Sequence, residues 1–380
     1  MIKLNKIFVC EFITGGGLCA EELPTSLVRE GALMRDALLR DLSALPYAVY
    51  TTVDARLAEP AHCLCVKIYP NDDIWQIWQT LMSEADAVFL IAPETDGLLH
   101  YLTQLALLQP QGLSPQNSLA EAGYSCHKGK LVLGCGLDSI LTTSDKMATY
   151  LALKLANINT INTFTADYWI EHEARYEQIS WLAKPNVGAG CEATVRFNDA
   201  EDLIDWLTQN KNQSLHIIQP FQVGTPASIS CVIFEGRAQL LSCNKQLIEI
   251  NNHTLSFKGV LINGMREHWQ AFEQIANSVA KTFPSLAGYV GIDVIVKQNK
   301  IVQQNEIVQQ SQIVQQNQIL PNQIVQNQIL VVEINPRLTT SYAGLSDSIG
   351  VNPAELIINT LTQPNYQWPT LQQNEVTIHV

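Results

Sequence analysis

Two short apolar runs, Gly291-Ile292-Asp293-Val294 and Val331-Val332-Glu333-Ile334-Asn335-Pro336-Arg337, constrain this chain more than any other feature. Each reads as a buried strand that delivers oxygen ligands. Glu333 and Asn335 are two apart, so on an extended strand they point to the same side. With Asp293 they make two anionic donors and one neutral donor. Such a set suits magnesium, which prefers oxygen ligands and keeps few protein carboxylates when it also binds nucleotide phosphates. Asp293, Glu333 and Asn335 are therefore the candidate metal ligands. Arg337 adds a fixed planar cation for phosphate or carboxylate. Paired as a hairpin, the two runs would keep these ligands together at its base.

Between them lies a Gln-rich segment, 301–330. It repeats Ile-Val-Gln-Gln-Asn-Glu, Ile-Val-Gln-Gln-Ser-Gln and Ile-Val-Gln-Gln-Asn-Gln, then shortens at Ile319, Ile324 and Ile329. A period of six can build a β-solenoid, but these copies are few and lack turn glycines. Their Gln and Asn content favours aggregation. The segment reads as the expanded distal turn of a hairpin. A self-assembly or partner-binding strand and a catalytic lid are the alternatives.

The rest of the chain alternates strands and helices. Apolar strands are expected at 7–10, 47–52 and 87–92, with helices over 24–42, 74–82 and 98–108. In the second helix Trp75, Trp78 and Met82 are spaced for one face. Continuously apolar strands between helices predict a parallel α/β layer over residues 1–115. Two further units are expected at 116–220 and 221–365. The second of these contains the repeats.

Two lysines complete the chemistry. Thr143-Ser144-Asp145-Lys146 opens a helix, where free amides already favour anions. Trp181-Leu182-Ala183-Lys184-Pro185 ends a strand just before Asn186-Val187-Gly188-Ala189-Gly190. Gly188 and Gly190 let backbone amides approach phosphates without a Cβ in the way. This turn is neither a P-loop nor a dinucleotide fingerprint. Its meaning comes from Lys184 before it and the acidic set after it. Lysines, a glycine turn and metal ligands are what phosphoryl transfer from Mg-ATP needs.

The net charge of −13 argues against a nucleic-acid partner, whose phosphates require a basic surface. The nine cysteines are scattered and odd in number, so they do not form a disulfide framework. No signal peptide or membrane span is visible, and the expected compartment is the cytoplasm.

With these motifs the chain resembles the ATP-grasp superfamily of carboxylate–amine ligases. The resemblance implies an N-terminal α/β domain followed by an α+β grasp fold of two subdomains. It also implies ATP and Mg²⁺ as cofactors, with Mn²⁺ as an alternative. Lys146 and Lys184 then match the two ATP lysines, and Gly188 and Gly190 match the lid. Gln219, Phe221 and Gln222 match the linker that hydrogen-bonds adenine. Pro220 has no N–H, so Phe221 or Gln222 is left to donate to the base. Arg337 and Lys184 are the expected catalytic cations. A finer resemblance, to the tyramine–glutamate ligase type of the methanofuran pathway, rests on Glu11-Phe12-Ile13-Thr14-Gly15-Gly16-Gly17, Ile91-Ala92-Pro93-Glu94-Thr95 and Asn335-Pro336-Arg337-Leu338-Thr339-Thr340-Ser341-Tyr342. Glu11, Glu30, Glu94, Thr339, Thr340 and Ser341 are the substrate candidates.

The resemblance implies amide-bond formation through an acyl phosphate, which needs no nucleophilic side chain. The partners are then a small carboxylate and an amine, with neither nucleic acid nor membrane, and a homo-oligomer is left open. Other readings are a D-alanine-type, peptide or carboxylating ligase of the same scaffold, or a nucleotide-binding regulatory protein without turnover.

Overall fold

The computed structural model describes residues 4–108, 126–127, 130–172, 179–188, 193–209, 215–251, 253–297, 329–363 and 365–380. Gly190 and repeat residues 301–328 lie outside them.

The first sheet contains β1 (Lys6–Glu11), β2 (Ala48–Asp54), β3 (Leu64–Ile68), β4 (Ala87–Ile91), β5 (Cys126–His127) and β6 (Lys130–Val132), in the order β3-β2-β1-β4-β6-β5. All neighbours are parallel except β5 and β6. Alternate side chains of β1 and β4 feed two cores. Phe8, Cys10, Val88 and Leu90 share one with residues of the helices that follow β3 and β4. Ile7, Val9, Phe89 and Ile91 share the other with Met34, Leu38 and Leu42 of α1 (Thr25–Ser43). Burial on both faces is why these strands are apolar throughout. In α2 (Ile74–Glu84) the buried stripe is Ile74, Trp78 and Met82, so Ile74 replaces the expected Trp75. Helix α3 (Leu98–Leu107) follows β4. The last two strands lie beyond residue 115, so the sheet runs past the boundary expected from the sequence.

The second sheet has ten strands: β7 (Phe164–Thr165), β8 (Trp181–Pro185), β9 (Val195–Phe197), β10 (His216–Pro220), β11 (Thr225–Phe234), β12 (Arg237–Asn251), β13 (Thr254–Ile262), β14 (Gly288–Val296), β15 (Ile329–Asn335) and β16 (Val376–His379). Its main path is β15-β14-β11-β12-β13-β9-β8-β10-β7, with β16 on β13. The joint between its halves is narrow, a single pairing of Thr254 with Val195.

Before this sheet come α4 (Leu137–Ser144) and α5 (Lys146–Leu155). Asp145 caps α5, accepting from the Ala148 N–H at 2.7 Å. Helices α6 (Ala166–His172) and α7 (Ala200–Gln209) cover one face of the smaller half through Trp169, Leu203 and Leu207. Helix α8 (Trp269–Thr282) covers one face of the larger half through Phe272, Ile275 and Val279. The other face of the smaller half carries Lys184 and Gln219, and that of the larger half carries Ser228, Ser230 and Asn244 beside a second apolar core that includes Val232, Val260 and Tyr289. Among the described residues no helix is long and apolar enough to cross a membrane.

Candidate active site

The hairpin of β14 and β15 sets the acidic centre. Val294 pairs with Val331 and Val296 with Ile329, and all four belong to the apolar core. Strict alternation after Val331 would send Glu333 into that core. Val332 is an extra residue, a bulge that shifts the register. Glu333 is thereby placed opposite Asp293, and Asn335 opposite Gly291. Ile334 returns to the core beside Ile292. One bulged valine thus turns both oxygen donors onto the polar face.

There the two carboxylates repel. Burial first, then the neighbouring Glu333 charge, pushes the Asp293 carboxyl above the usual carboxylate range. Two donors partly offset this. Gln246 Nε2 donates to Asp293 Oδ1 at 2.9 Å, and Asn335 Nδ2 to Oδ2 at 3.4 Å. The Lys146 ammonium lies 4.0 Å from Glu333 Oε2 and donates to the Gly188 carbonyl at 2.7 Å. It therefore stands between the acidic pair and the glycine turn. Asn186 holds that turn against α5, accepting from the Met147 N–H and donating to Asp145. Two opposed, partly buried carboxylates and a neutral amide oxygen fit a hard divalent cation, which would relieve the repulsion.

Lys184 reaches the cleft from the smaller half of the sheet. Trp181, Ala183 and Ile218 point into the core under α6 and α7. Lys184 pairs with Ile217 and Leu182 with Gln219, so Lys184 and Gln219 share the opposite face. Both are buried. Gln219 Nε2 donates to Thr163 Oγ1 at 2.8 Å, and the Thr163 hydroxyl donates to the Ile161 carbonyl. With its proton used there, Thr163 can only accept, which fixes the amide orientation. Gln219 Oε1 is left buried without a hydrogen bond. A buried acceptor without a donor is costly, and an incoming amino group would satisfy it.

The linker differs from expectation at Phe221. Its N–H donates to the Ser180 carbonyl at 2.8 Å, and its ring lies 4.2 Å beneath the Arg196 guanidinium. The Phe221 amide is thus committed, which leaves Gln222 as the backbone donor. The Gln222 side chain donates to the Pro220 carbonyl at 3.2 Å.

The expected substrate residues divide. Glu11 is fully engaged by its own turn: its carboxylate accepts from the Ile13 and Thr14 N–H groups at 3.0 and 2.6 Å and from the Thr14 hydroxyl. A Cβ on Gly31 would come within 2.8 Å of it, so Gly31 is the space α1 leaves for this carboxylate. Thr339 Oγ1 shares a 2.8 Å hydrogen bond with the Tyr289 hydroxyl, and Ser341 Oγ accepts from Asn244. Both hydroxyls are tied into a buried network with Ser228 and Ser230. Thr340 is buried beside them. Glu94 does not act as a side-chain cap; it is ion-paired with Arg337, Oε1 2.9 Å from Nε and Oε2 accepting from Nη2 at 3.0 Å. Glu30 adds to the field on the same arginine.

Gln246 was not foreseen from the sequence. The available signal is the alternation Ser242, Asn244, Gln246, with Cys243 and Lys245 between them. That pattern marks one polar face, and Ser228 pairs with both Asp293 and Asn244 on it.

A family description of the ATP-grasp domain matches residues 143–341, more than half of the chain, and one of the pre ATP-grasp 3 domain matches 47–112. The chain is 23% identical over 338 residues to a tyramine–L-glutamate ligase of Methanocaldococcus jannaschii, covering 88% of this chain and 83% of that one. A tyramine–L-glutamate ligase of Methanocaldococcus fervens is 24% identical over 273 residues, covering 72% and 65%. Among solved structures, an ATP-grasp superfamily protein from Archaeoglobus fulgidus superposes with a TM-score of 0.63 at 20% identity, covering 99% of each chain. A biotin carboxylase from Campylobacter jejuni superposes with a TM-score of 0.66 at 10% identity, covering 98% of this chain and 74% of that one.

Proposed function

This chain belongs to the ATP-grasp family and is an ATP-dependent ligase, and we propose that it joins glutamate to tyramine or a close tyrosine-like amine. The observation that carries the ligase site is the register of Asp293 against Glu333, with Lys146 beside them. The likeness to two tyramine–L-glutamate ligases supports the choice of acid and amine.

Lys146 and Lys184 hold the ATP phosphates from two sides, and the turn at Gly188 closes over them. Gln219 Oε1 accepts from the adenine amino group, and the Gln222 N–H donates to a ring nitrogen. Asp293, Glu333 and Asn335 would hold magnesium, with manganese as the alternative, and the ion supplies neutralisation of phosphate charge. Arg337 steadies the oxyanion that passes from ATP to the acid. An oxygen of the substrate carboxylate attacks the γ-phosphorus, and ADP leaves. The amine nitrogen then attacks the acyl carbon, phosphate departs, and the extra N–H proton goes to phosphate or water. Exclusion of water protects the acyl phosphate meanwhile. We take the N-terminal unit to end after β6 rather than at residue 115, because that strand belongs to the first sheet.

The test is ADP release with ATP, magnesium and glutamate against tyramine, tyrosine and short glutamyl acceptors, with the product identified by mass. Glutamate-dependent ADP release that needs an aromatic amine is expected; release with a different acid alone would overturn the substrate choice. Lys184→Ala should lower kcat by about 3 kcal/mol of barrier, the scale of losing one stabilising group from developing charge. A near-normal kcat in a folded Lys184→Ala protein would remove Lys184 from the site.

A further inference from the structure

Resting on the ligase reading, we propose that Glu94 is a positioning residue for Arg337. The catalytic centre would then be complete only when the N-terminal sheet supplies this carboxylate. Glu94 stands at the end of β4, after Ala92 and Pro93, and is 3% exposed. The Arg337 side chain is 11% exposed. Its guanidinium is held from two directions. Nε and Nη2 face Glu94 at 2.9 and 3.0 Å, and Nη1 donates to the Leu338 carbonyl at 3.0 Å. One N–H on each Nη remains for an incoming oxyanion.

A buried ion pair is a weak source of net stability, because desolvation offsets much of the attraction. Orientation is what it supplies. Arginine on its own long side chain has several rotamers, and a planar carboxylate facing its edge selects one. The same turn also borders the glycine loop: a Cβ on Gly188 would lie 3.8 Å from Thr95 Oγ1. Asp96 and Gly97 of this turn have φ of 54° and 69°, the left-handed conformation that brings the chain round into α3. One tight turn of the first sheet thus meets both the arginine of the metal hairpin and the start of the loop over the phosphates.

The charge makes the proposal specific. Glu94→Gln keeps the shape but leaves Arg337 an unbalanced cation. Anions should then bind no more weakly, while the guanidinium loses its fixed direction. The expected result is a fall in kcat on the order of 10²-fold, the cost of misplacing a reacting partner, with the KM for the acid unchanged or lower. Glu94→Asp keeps the charge at shorter reach and should recover part of kcat. In ¹⁵N-arginine-labelled protein the Arg337 Nε–H, assigned with Arg337→Lys, should exchange slowly in the parent and rapidly in Glu94→Gln. An unchanged kcat in folded Glu94→Gln would overturn the proposal. So would a KM increase with kcat intact, which is the mark of simple substrate binding by Glu94. Should Glu94→Gln fail to fold, the Glu94→Asp kcat decides in its place, and parent-like turnover there with a lost Nε–H signal would overturn the proposal. A parent protein that releases no ADP with any acid defeats the ligase reading instead. The exchange measurement still decides whether Glu94 orders Arg337.

Discussion

The carboxylates of the first sheet are buried, those of the β14–β15 hairpin are half-buried, and the two sets live in opposite circumstances. Glu11 receives two backbone N–H groups and a hydroxyl, and Glu94 receives a guanidinium. Asp293 instead faces Glu333 across the strands, with two side-chain amides donating to it among the described residues. In the first region Glu11 has its hydrogen bonds from its own turn and Glu94 has an opposite charge beside it. The second is left with repulsion that a cation can relieve. Burial alone therefore does not mark a binding site; burial with an incomplete partner set does.

The sharpest break of this comparison is Asp293→Asn. Magnesium-dependent turnover should fall by roughly 10²-fold or more, the scale of losing a group that stabilises transferring charge. In chelator the same variant should be more stable than the parent by about 1 kcal/mol, because a like-charge pair has gone. Lower stability together with an unchanged magnesium titration would make the pair structural, like Glu11.

Next in size is Glu11→Gln. It places an amide against backbone donors and should destabilise the fold by about 1–3 kcal/mol. Activity per folded molecule should not change. Loss of turnover at full stability would return Glu11 to the substrate candidates.

Third is the pH dependence of the metal-free protein. The Asp293 carboxyl is raised in the folded state, by burial and then by Glu333. The folded chain therefore holds a proton that the unfolded chain has released. Its contribution is complete below the ordinary carboxylate pKa and is lost as pH rises through the raised one. Melting in chelator should show stability falling with pH over that window, with a shallower slope in Asp293→Asn. Magnesium should restore stability at the upper end. A parent slope identical to that of Asp293→Asn would show that the pair is not frustrated.

The smallest effect belongs to the repeats. Val296 pairs with Ile329, so the hairpin is closed at its base before residues 301–328 begin. Replacing that segment with a short turn should leave Tm and ADP release nearly unchanged, since loop closure varies by about 0.6 kcal/mol per doubling of length. A well-folded but inactive trimmed protein would give the segment a role over the site.

Much of this was legible along the chain. Apolar runs such as Ile7–Cys10 and Ala87–Ile91 announce buried parallel strands, and Asp145-Lys146 announces a helix start. The exposed edge strand Leu64–Ile68 was not, because its mixed residues meet solvent and carry no clean period. The strand Thr254–Ile262 hides for a related reason, with Lys258 and Gly259 interrupting its pattern. The Phe221 amide looked available because nothing local shows that Ser180 will take it.

The residue types and short spacings by themselves determined the candidate donors: Asp293, Glu333, Asn335, the two lysines and Arg337. These depend on chemistry and on neighbours a few positions away. Only the tertiary structure decided what each donor faces. The Val332 bulge rotates Glu333 from the core to Asp293, and whether an extra residue is absorbed as a bulge depends on the strand beside it. Glu94 and Arg337 stand 243 positions apart, and their pairing exists only because two sheets pack together. Local sequence carries propensity and periodicity, but partners distant in sequence are chosen by packing, since each buried charge must find its counterpart wherever the fold brings one.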